Sequence, residues 1–413
     1  MTRLAIVDGI RTPFGKAGTM LKPLPAHELG RLAVTALLER TGIERGQISH
    51  VIFGNVAQPN DAANIARVIA VNAGIPPEIP AYTVHRNCAS GFEAITSAYE
   101  KLVAGQGDVF LVGGTESMSN IPLLYTAAAA DKYTALSRAK TGGEKLRALS
   151  AFRLRDFKPR LGVLLGLTDP TCGLTMGQTA EVLCRDFGIS RDQQDRFALA
   201  SHQKAHQARS KLREEITPVA LPGGQTMRDD NGVRENPTLE ALTKLAPVFE
   251  RNNSTVTAGN ASQLTDGAVA LLVMSEARAR QLGHKPLGYL RAYAYTGVEP
   301  QRMGIGPAYA IPAALTRAGL KLADLDLVEI NEAFAVQVLA CAAVLKNQFG
   351  LTLNPETLNV NGGAIALGHP VGASAARLVL TLLKEMHRRN VRTGLASACV
   401  GGGQGGALIL DRE

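Results

Sequence analysis

Two stretches far apart in this chain carry the same pattern, and that repetition constrains the fold more than any single motif. Leu37-Leu38-Glu39-Arg40-Thr41-Gly42-Ile43-Glu44 precedes the apolar run Val51-Ile52-Phe53-Gly54, and Leu315-Thr316-Arg317-Ala318-Gly319-Leu320-Lys321 precedes Leu327-Val328-Glu329-Ile330-Asn331. Each reads as an amphipathic helix stopped by a glycine and followed by a β-rich stretch. The segments after them correspond as well. Tyr82-Thr83-Val84 leads through Cys88-Ala89-Ser90-Gly91 into a helical pattern as far as Leu102, then into the buried-strand run 109–114. Leu358-Asn359-Val360 leads through His369-Pro370 into a helical pattern to about His387, then into 394–399. Strands alternating with helices, twice over, predict an α/β chain of two duplicated halves.

Between the copies, roughly 121–250 differs in kind. It holds a basic run, the apolar stretch 161–167 and a Gly/Pro/Asp-rich loop at 217–237, and reads as an inserted loop domain. Asn260-Ala261-Ser262 and 268–274 read as a return to the first half. The expected division is therefore 1–120 with 251–285, then 121–250 as the insert, then 286–413.

A chain of 413 residues supports a substantial core, and 46 % hydrophobic with 19 % charged residues excludes disorder and collagen. The most sustained apolar stretch, 334–345, is short of the roughly 20 residues that cross a bilayer. The N-terminal run lacks the apolar core of a signal peptide and the final Asp-Arg-Glu is not a peroxisomal address, so a cytoplasmic protein is expected. Five cysteines with no C-x-x-C pair indicate neither a disulfide framework nor a zinc knuckle; free thiols and no metal are expected.

Three positions could carry chemistry. Cys88 follows a β-rich segment and opens a helix, where the dipole and free N–H groups lower a thiol's pKa and supply oxyanion donors. His369 sits among small residues just before Pro370, a residue suited to the first helical position. Cys399 ends a buried-strand run ahead of Val400-Gly401-Gly402-Gly403-Gln404-Gly405-Gly406. Taken singly, each has a plainer reading as a packed core or surface residue. The glycine run formally contains G-x-G-x-x-G, but no crossover helix fits after it, which excludes a dinucleotide site.

Together the motifs are far more specific. N-C-A-S-G at 87–91, N-E-A-F-A at 331–335, G-G-A-I-A-L-G-H-P-x-G-A-S at 362–374 and C-V-G-G-G-x-G at 399–405 resemble, in order and spacing, those of the thiolase family. So do R-T-P-F-G at 11–15, G-G-T-E-S-M-S at 113–119, M-G-Q-T-A-E at 176–181 and V-T-A-G-N-A-S at 256–262. The resemblance implies a five-layer α-β-α-β-α fold of two halves with an inserted loop domain. It implies Cys88 as the acyl-accepting nucleophile, His369 as its base and Cys399 as the acid/base at the α-carbon. It gives one oxyanion hole to His369 with a water held by Asn331, and another to the N–H groups of Cys88 and Gly401. Met176, Met303, Phe334 and Ser262 match residues beside the acyl and pantetheine chain. Coenzyme A and acyl-CoA are then substrates, with no permanently bound cofactor, and the chain is a homodimer or homotetramer.

Within the family, two directions stay open. Leu174-Thr175-Met176-Gly177 lacks the His-Met-Gly usual in short-chain biosynthetic thiolases, and 143–176, with F-R-L-R-D-F at 152–157, resembles the thiolase subunit of fatty-acid oxidation complexes. Asn331, where those subunits usually carry His, and the 399–403 motif are closer to the biosynthetic pattern. The expectation is a 3-ketoacyl-CoA thiolase of β-oxidation, with acetoacetyl-CoA thiolase as the alternative. Residues 131–160 hold nine Lys/Arg against Asp131, Glu144 and Asp156. That run reads as a contact for coenzyme A phosphates, as a surface at 131–167 for a membrane or a hydratase/dehydrogenase subunit, or as a solvated helix face. It lacks the aromatic interleaving and binding module of a nucleic-acid site.

Overall fold

A computed structural model describes residues 3–250 and 254–412. Met1, Thr2 and Glu413, parts of the terminal segments read above, lie outside the described residues, as do 251–253 beside the expected boundary at 250/251. The first half runs β1 (Leu4–Arg11), α1 (Ala26–Thr41), β2 (His50–Gly54), α2 (Ile65–Asn72), β3 (Ala81–Val84), α3 (Ser90–Val103) and β4 (Val109–Ser117). After α4 (Ala127–Arg138), α5 (Gly142–Ser150), α6 (Met176–Phe187) and α7 (Arg191–Gln207), it closes with β5 (Thr265–Ser275). The second half runs β6 (Gly288–Gly297), α8 (Gly306–Ala318), β7 (Leu327–Ile330), α9 (Ala335–Phe349), α10 (Val371–Arg389), β8 (Thr393–Val400) and β9 (Gln404–Asp411).

The duplicated helix stops behave alike. Gly42 and Gly319 take φ of 64° and 66°, and their N–H groups close onto Leu38 and Leu315 carbonyls at the ends of α1 and α8. The strands form one sheet in the order β7-β8-β9-β6-β1-β5-β4-β2-β3, with the short strand Gly15–Lys16 added on β5. β1 is the seam: Leu4 pairs with Ser275 of β5 on one side and Leu290 of β6 on the other, both antiparallel.

Alternation along the strands sorts the core into three bands. Val51, Phe53, Leu111 and Leu272 pack against Leu29, Val34 and Ile69 of α1 and α2. The opposite faces, Ile52, Phe110, Val112 and Leu271, share a second band with α3, α10 and with Ala396, Ala398 and Leu408 from the other half. Leu395, Cys399 and Ile409 face α8 and α9 in a third. Helix, sheet, helix, sheet, helix is the five-layer order expected, and each large side chain so buried contributes about 1.5 to 3 kcal/mol.

The middle layer is close-packed through glycine. A Cβ on Gly91 of α3 would sit 2.4 Å from the Ala376 nitrogen of α10, and one on Gly114 of β4 would sit 2.0 Å from the Gly372 oxygen. The first turn of the helix that follows Cys88 therefore touches the second turn of the helix that follows His369.

The duplication is imperfect at one point. Leu358-Asn359-Val360, the counterpart of β3, contributes an isolated bridge from Leu358 to Val328 and no ladder. Asn359 has φ of 45°, and its side-chain amide replaces the missing strand by accepting from Ile330 N–H at 2.8 Å and donating to the Ile330 carbonyl at 2.9 Å.

Contacts divide the chain into Met1–Asn120 with Asp169–Glu413, and Ile121–Thr168. Residues 169–250, read from the sequence with the insert, lie with the larger unit because Ala180, Leu183 and Cys184 of α6 are buried in the third core band. The smaller unit is built from α4 and α5, a Thr141/Glu144 capping box, the pairing of Leu123–Leu124 with Arg160–Leu161 and an aromatic row of Tyr125, Tyr133, Phe152 and Phe157. It leaves Leu146, Leu154 and Phe157 exposed, Leu154 by 92 %. Among the described residues no helix is long and apolar enough to cross a membrane.

Candidate active site

Cys88 sits on the tight turn between β3 and α3, built by Asn87 in the left-handed region at φ of 43°. The Asn87 carbonyl accepts from the Ser90 N–H at 3.0 Å and from the Ser90 hydroxyl at 2.7 Å, which holds the turn. Backbone N–H groups of Gly401 and of Cys88 itself face the sulfur. The helix terminus led to the expectation of a lowered thiol pKa. Burial is the larger effect: it pushes the Cys88 thiol up to about 11, while those two N–H groups pull down. Cys88 rests as a thiol.

Cys399, fully buried near the end of β8, lies in the field of Cys88 and of the buried Cys341, and burial holds its thiol well above the ordinary value. Like Cys88, it is a desolvated thiol.

His369 is buried just before α10. Its N–H meets Thr265 Oγ1 at 3.0 Å, and its Nδ1 lies 2.5 Å from Ser374 Oγ. Ser374 Oγ also donates to the Pro370 carbonyl at 2.9 Å. One hydroxyl hydrogen serves one acceptor, so the ring N–H at Nδ1 donates to Ser374 and Nε2 keeps its lone pair. Burial first, and then the Arg377 charge, lower the imidazole to about 4. At neutral pH it is an uncharged base.

Asn331 Nδ2 faces that Nε2 at 3.5 Å, and Asn331 Oδ1 is buried with no hydrogen-bond partner among the described residues. Such a group is poised for a polar atom from outside the chain. Gly401 lies in the three-residue hairpin between β8 and β9, and a Cβ there would come within 3.5 Å of Met176 Sδ. Met176, Met303 and Phe334 share the core band of Cys399, with Phe249 edge-on to Phe334 at 6.1 Å. Ser262 is half-buried and its N–H bonds the Ala333 carbonyl at 2.9 Å, beside Phe334.

The structure thus joins Cys88 with Gly401 and Cys399, Asn331 with His369, and Met176 with Gly401. Sequence reasoning passed over Asn87, Ser374, Thr265 and Glu116. The Glu116 carboxylate, pushed up to about 7 by burial, accepts from Val56, Ala57, Gly372 and Asn55 and so ties the start of α10 to the loop after β2. Three of the four lie inside motifs already quoted, so the motifs themselves were the signal. Among the described residues no group of three or more His, Cys, Asp or Glu could hold a metal ion.

A thiol, an uncharged imidazole, a second buried thiol and N–H donors on a glycine turn are the groups that cysteine-dependent acyl transfer requires. Residues 4–277 match the thiolase N-terminal domain and 284–412 the thiolase C-terminal domain, and the chain belongs to the thiolase family. A 3-ketoacyl-CoA thiolase of Pectobacterium carotovorum is 42 % identical, over 99 % of this chain and 96 % of that one. The crystal structure of human mitochondrial 3-ketoacyl-CoA thiolase in complex with CoA aligns with a TM-score of 0.88 at 38 % identity, covering 100 % of this chain and 98 % of that one. Acetyl-CoA acetyltransferase from Syntrophomonas wolfei aligns with a TM-score of 0.91 at 35 % identity over 100 % of both chains.

Proposed function

We propose that this chain is a 3-ketoacyl-CoA thiolase, an acetyl-CoA C-acyltransferase of fatty-acid β-oxidation. The observation that carries the reading is the Cys88 thiol facing the Gly401 N–H while lying in the field of Cys399. The Cys88 sulfur attacks the 3-keto carbon as its proton passes to His369 Nε2. The C2–C3 bond breaks, Cys399 protonates the departing enolate and regains its proton from the His369 imidazolium, and acetyl-CoA leaves. Coenzyme A then attacks acyl-Cys88, giving up its thiol proton as the Cys88 thiol is restored, and a shortened acyl-CoA is released.

Asn331, through its unpartnered oxygen, orients the water that joins His369 in the first oxyanion hole; Gly401 and Cys88 N–H groups serve the second. Each such donor contributes about 3 to 4 kcal/mol. Met176, Met303 and Phe334 line the acyl and pantetheine path, with Ser262 as a pantetheine contact. Coenzyme A and acyl-CoA are substrates, and no resident cofactor takes part.

The test is thiolysis by purified protein, comparing kcat/KM for acetoacetyl-CoA with that for a medium- or long-chain 3-ketoacyl-CoA. Preference for the longer substrate is expected; activity confined to acetoacetyl-CoA would sink the assignment. The second reading, acetoacetyl-CoA thiolase condensing two acetyl-CoA, is favoured by Asn331 and the 399–403 motif.

The reading extends to assembly. β3 ends the sheet with all four side chains half-exposed, a pairing edge that supports a homodimer, or a homotetramer built from dimers. The basic and apolar surface of 121–168 supports contact with a membrane surface or with a hydratase/dehydrogenase subunit. The compartment read from the sequence is the cytoplasm.

A further inference from the structure

The cysteine turn and the glycine hairpin are joined by one side chain. Asn87 Nδ2 donates to the Gly401 carbonyl at 2.6 Å. The main chain of Asn87 has a separate task, since its carbonyl is engaged by Ser90 and its φ of 43° makes the turn that presents Cys88. Asparagine suits both, being among the few non-glycine residues that tolerate the left-handed region.

The grip matters because of what it holds. The hairpin is three glycines, Gly401 to Gly403, with φ of 85° and 82° at the last two. Glycine restrains its own backbone least of all residues, so the direction of the Gly401 N–H has to be imposed from outside. The Gly401 carbonyl and the Gly402 N–H belong to one planar peptide unit. Asn87 holds its oxygen end. The buried Asp169 carboxylate lies near its N–H end: burial acts to raise that carboxyl, yet the Thr171 hydroxyl and the N–H groups of Thr171, Cys172 and Gly402 keep it below its ordinary value.

We propose that Asn87 is a positioning residue: its amide holds the peptide unit that follows Gly401 and, across the Gly401 α-carbon, restrains the Val400–Gly401 unit whose N–H is aimed at the oxyanion formed on Cys88. The inference rests on the assignment of Gly401 as an oxyanion donor given under the proposed function. An amide that grips a carbonyl sets geometry that rate senses steeply, because a donor aimed past the oxyanion loses most of its effect.

Two variants separate the clasp from the turn. Asn87→Gly keeps the left-handed turn and removes the amide; Asn87→Asp keeps the side-chain shape and sets a carboxylate against the Gly401 carbonyl. Both are expected to lower kcat for thiolysis by about tenfold to a hundredfold with KM changed by less than about threefold. Asn87→Gly is expected to leave the rate of Cys88 alkylation by iodoacetamide at the wild-type value, since alkylation develops no oxyanion, whereas the carboxylate of Asn87→Asp slows it by disfavouring the neighbouring thiolate. A wild-type kcat in Asn87→Gly, with Cys88→Ser inactive, overturns the positioning role alone. Alkylation of Asn87→Gly falling in step with its kcat also overturns it, by assigning the defect to the turn. Full thiolysis by Cys88→Ser removes the acyl-enzyme reading, and the role of Asn87 with it.

Discussion

His369 Nδ1 and Ser374 Oγ stand 2.5 Å apart, and the Ser374 hydroxyl is already committed to the Pro370 carbonyl. Ser374 therefore selects the tautomer of the base from five residues along the chain, on the first turn of α10. Replacing Ser374 with Ala frees the ring to rotate and to move its proton to Nε2. The expected result is a fall in kcat of about tenfold to a hundredfold, roughly 1.4 to 2.7 kcal/mol, with a smaller change in KM. Steady-state kinetics on Ser374→Ala at wild-type kcat would refute the tautomer argument.

An imidazole lowered from 6.5 to about 4 stays uncharged across the range in which an exposed histidine titrates. The folded state resists the proton that the unfolded chain accepts near 6.5, so stability falls as pH drops from about 6.5 toward 4. Activity follows the same window. The acid limb of kcat/KM is expected well below pH 6, and a midpoint near 6.5 would show a solvated base instead.

The two thiols divide the reaction, and that division is measurable. Cys399→Ala removes the group that handles the α-carbon but leaves Cys88 to exchange acyl groups with coenzyme A. Labelled coenzyme A should still enter acetyl-CoA, while cleavage of a 3-ketoacyl-CoA stops. Loss of both activities would place Cys399 in the acyl-transfer step itself. Cys88→Ala should abolish both.

The helices behind Cys88 and His369 meet through a missing side chain. Gly91→Ala would drive a methyl to within 2.4 Å of the Ala376 nitrogen, backbone that cannot yield locally. The expected loss is about 1 to 3 kcal/mol or more, read from the denaturant midpoint, with activity lost as the first turn of α3 parts from the second turn of α10. An unshifted midpoint would mean the crossing relaxes freely.

The duplicated order of helices and strands was legible because period and punctuation are local: Gly42 and Gly319 end α1 and α8 at matching places. The motifs led to Cys88, His369 and Cys399; the structure sets Cys88 beside the Gly401 N–H and His369 beside Asn331. What escaped was set by tertiary contact. The pKa of Cys88 depends on how much of the protein covers it, which a helix terminus in sequence does not report. The strand expected at Leu358-Asn359-Val360 failed because Asn359 turns left-handed and bonds β7 through its side chain. The apolar face of α6, which buries Ala180, Leu183 and Cys184 in the third core band, is not visible in the composition of 121–250 as a whole.

β1 carries one more consequence. It precedes its partner strands in the sequence, and all but one of its residues are buried once folded. Its partners, Thr265–Ser275 and Gly288–Gly297, are translated long afterwards. Until both are made, Leu4–Arg11 is an apolar strand with both edges unpaired, a segment open to non-native pairing.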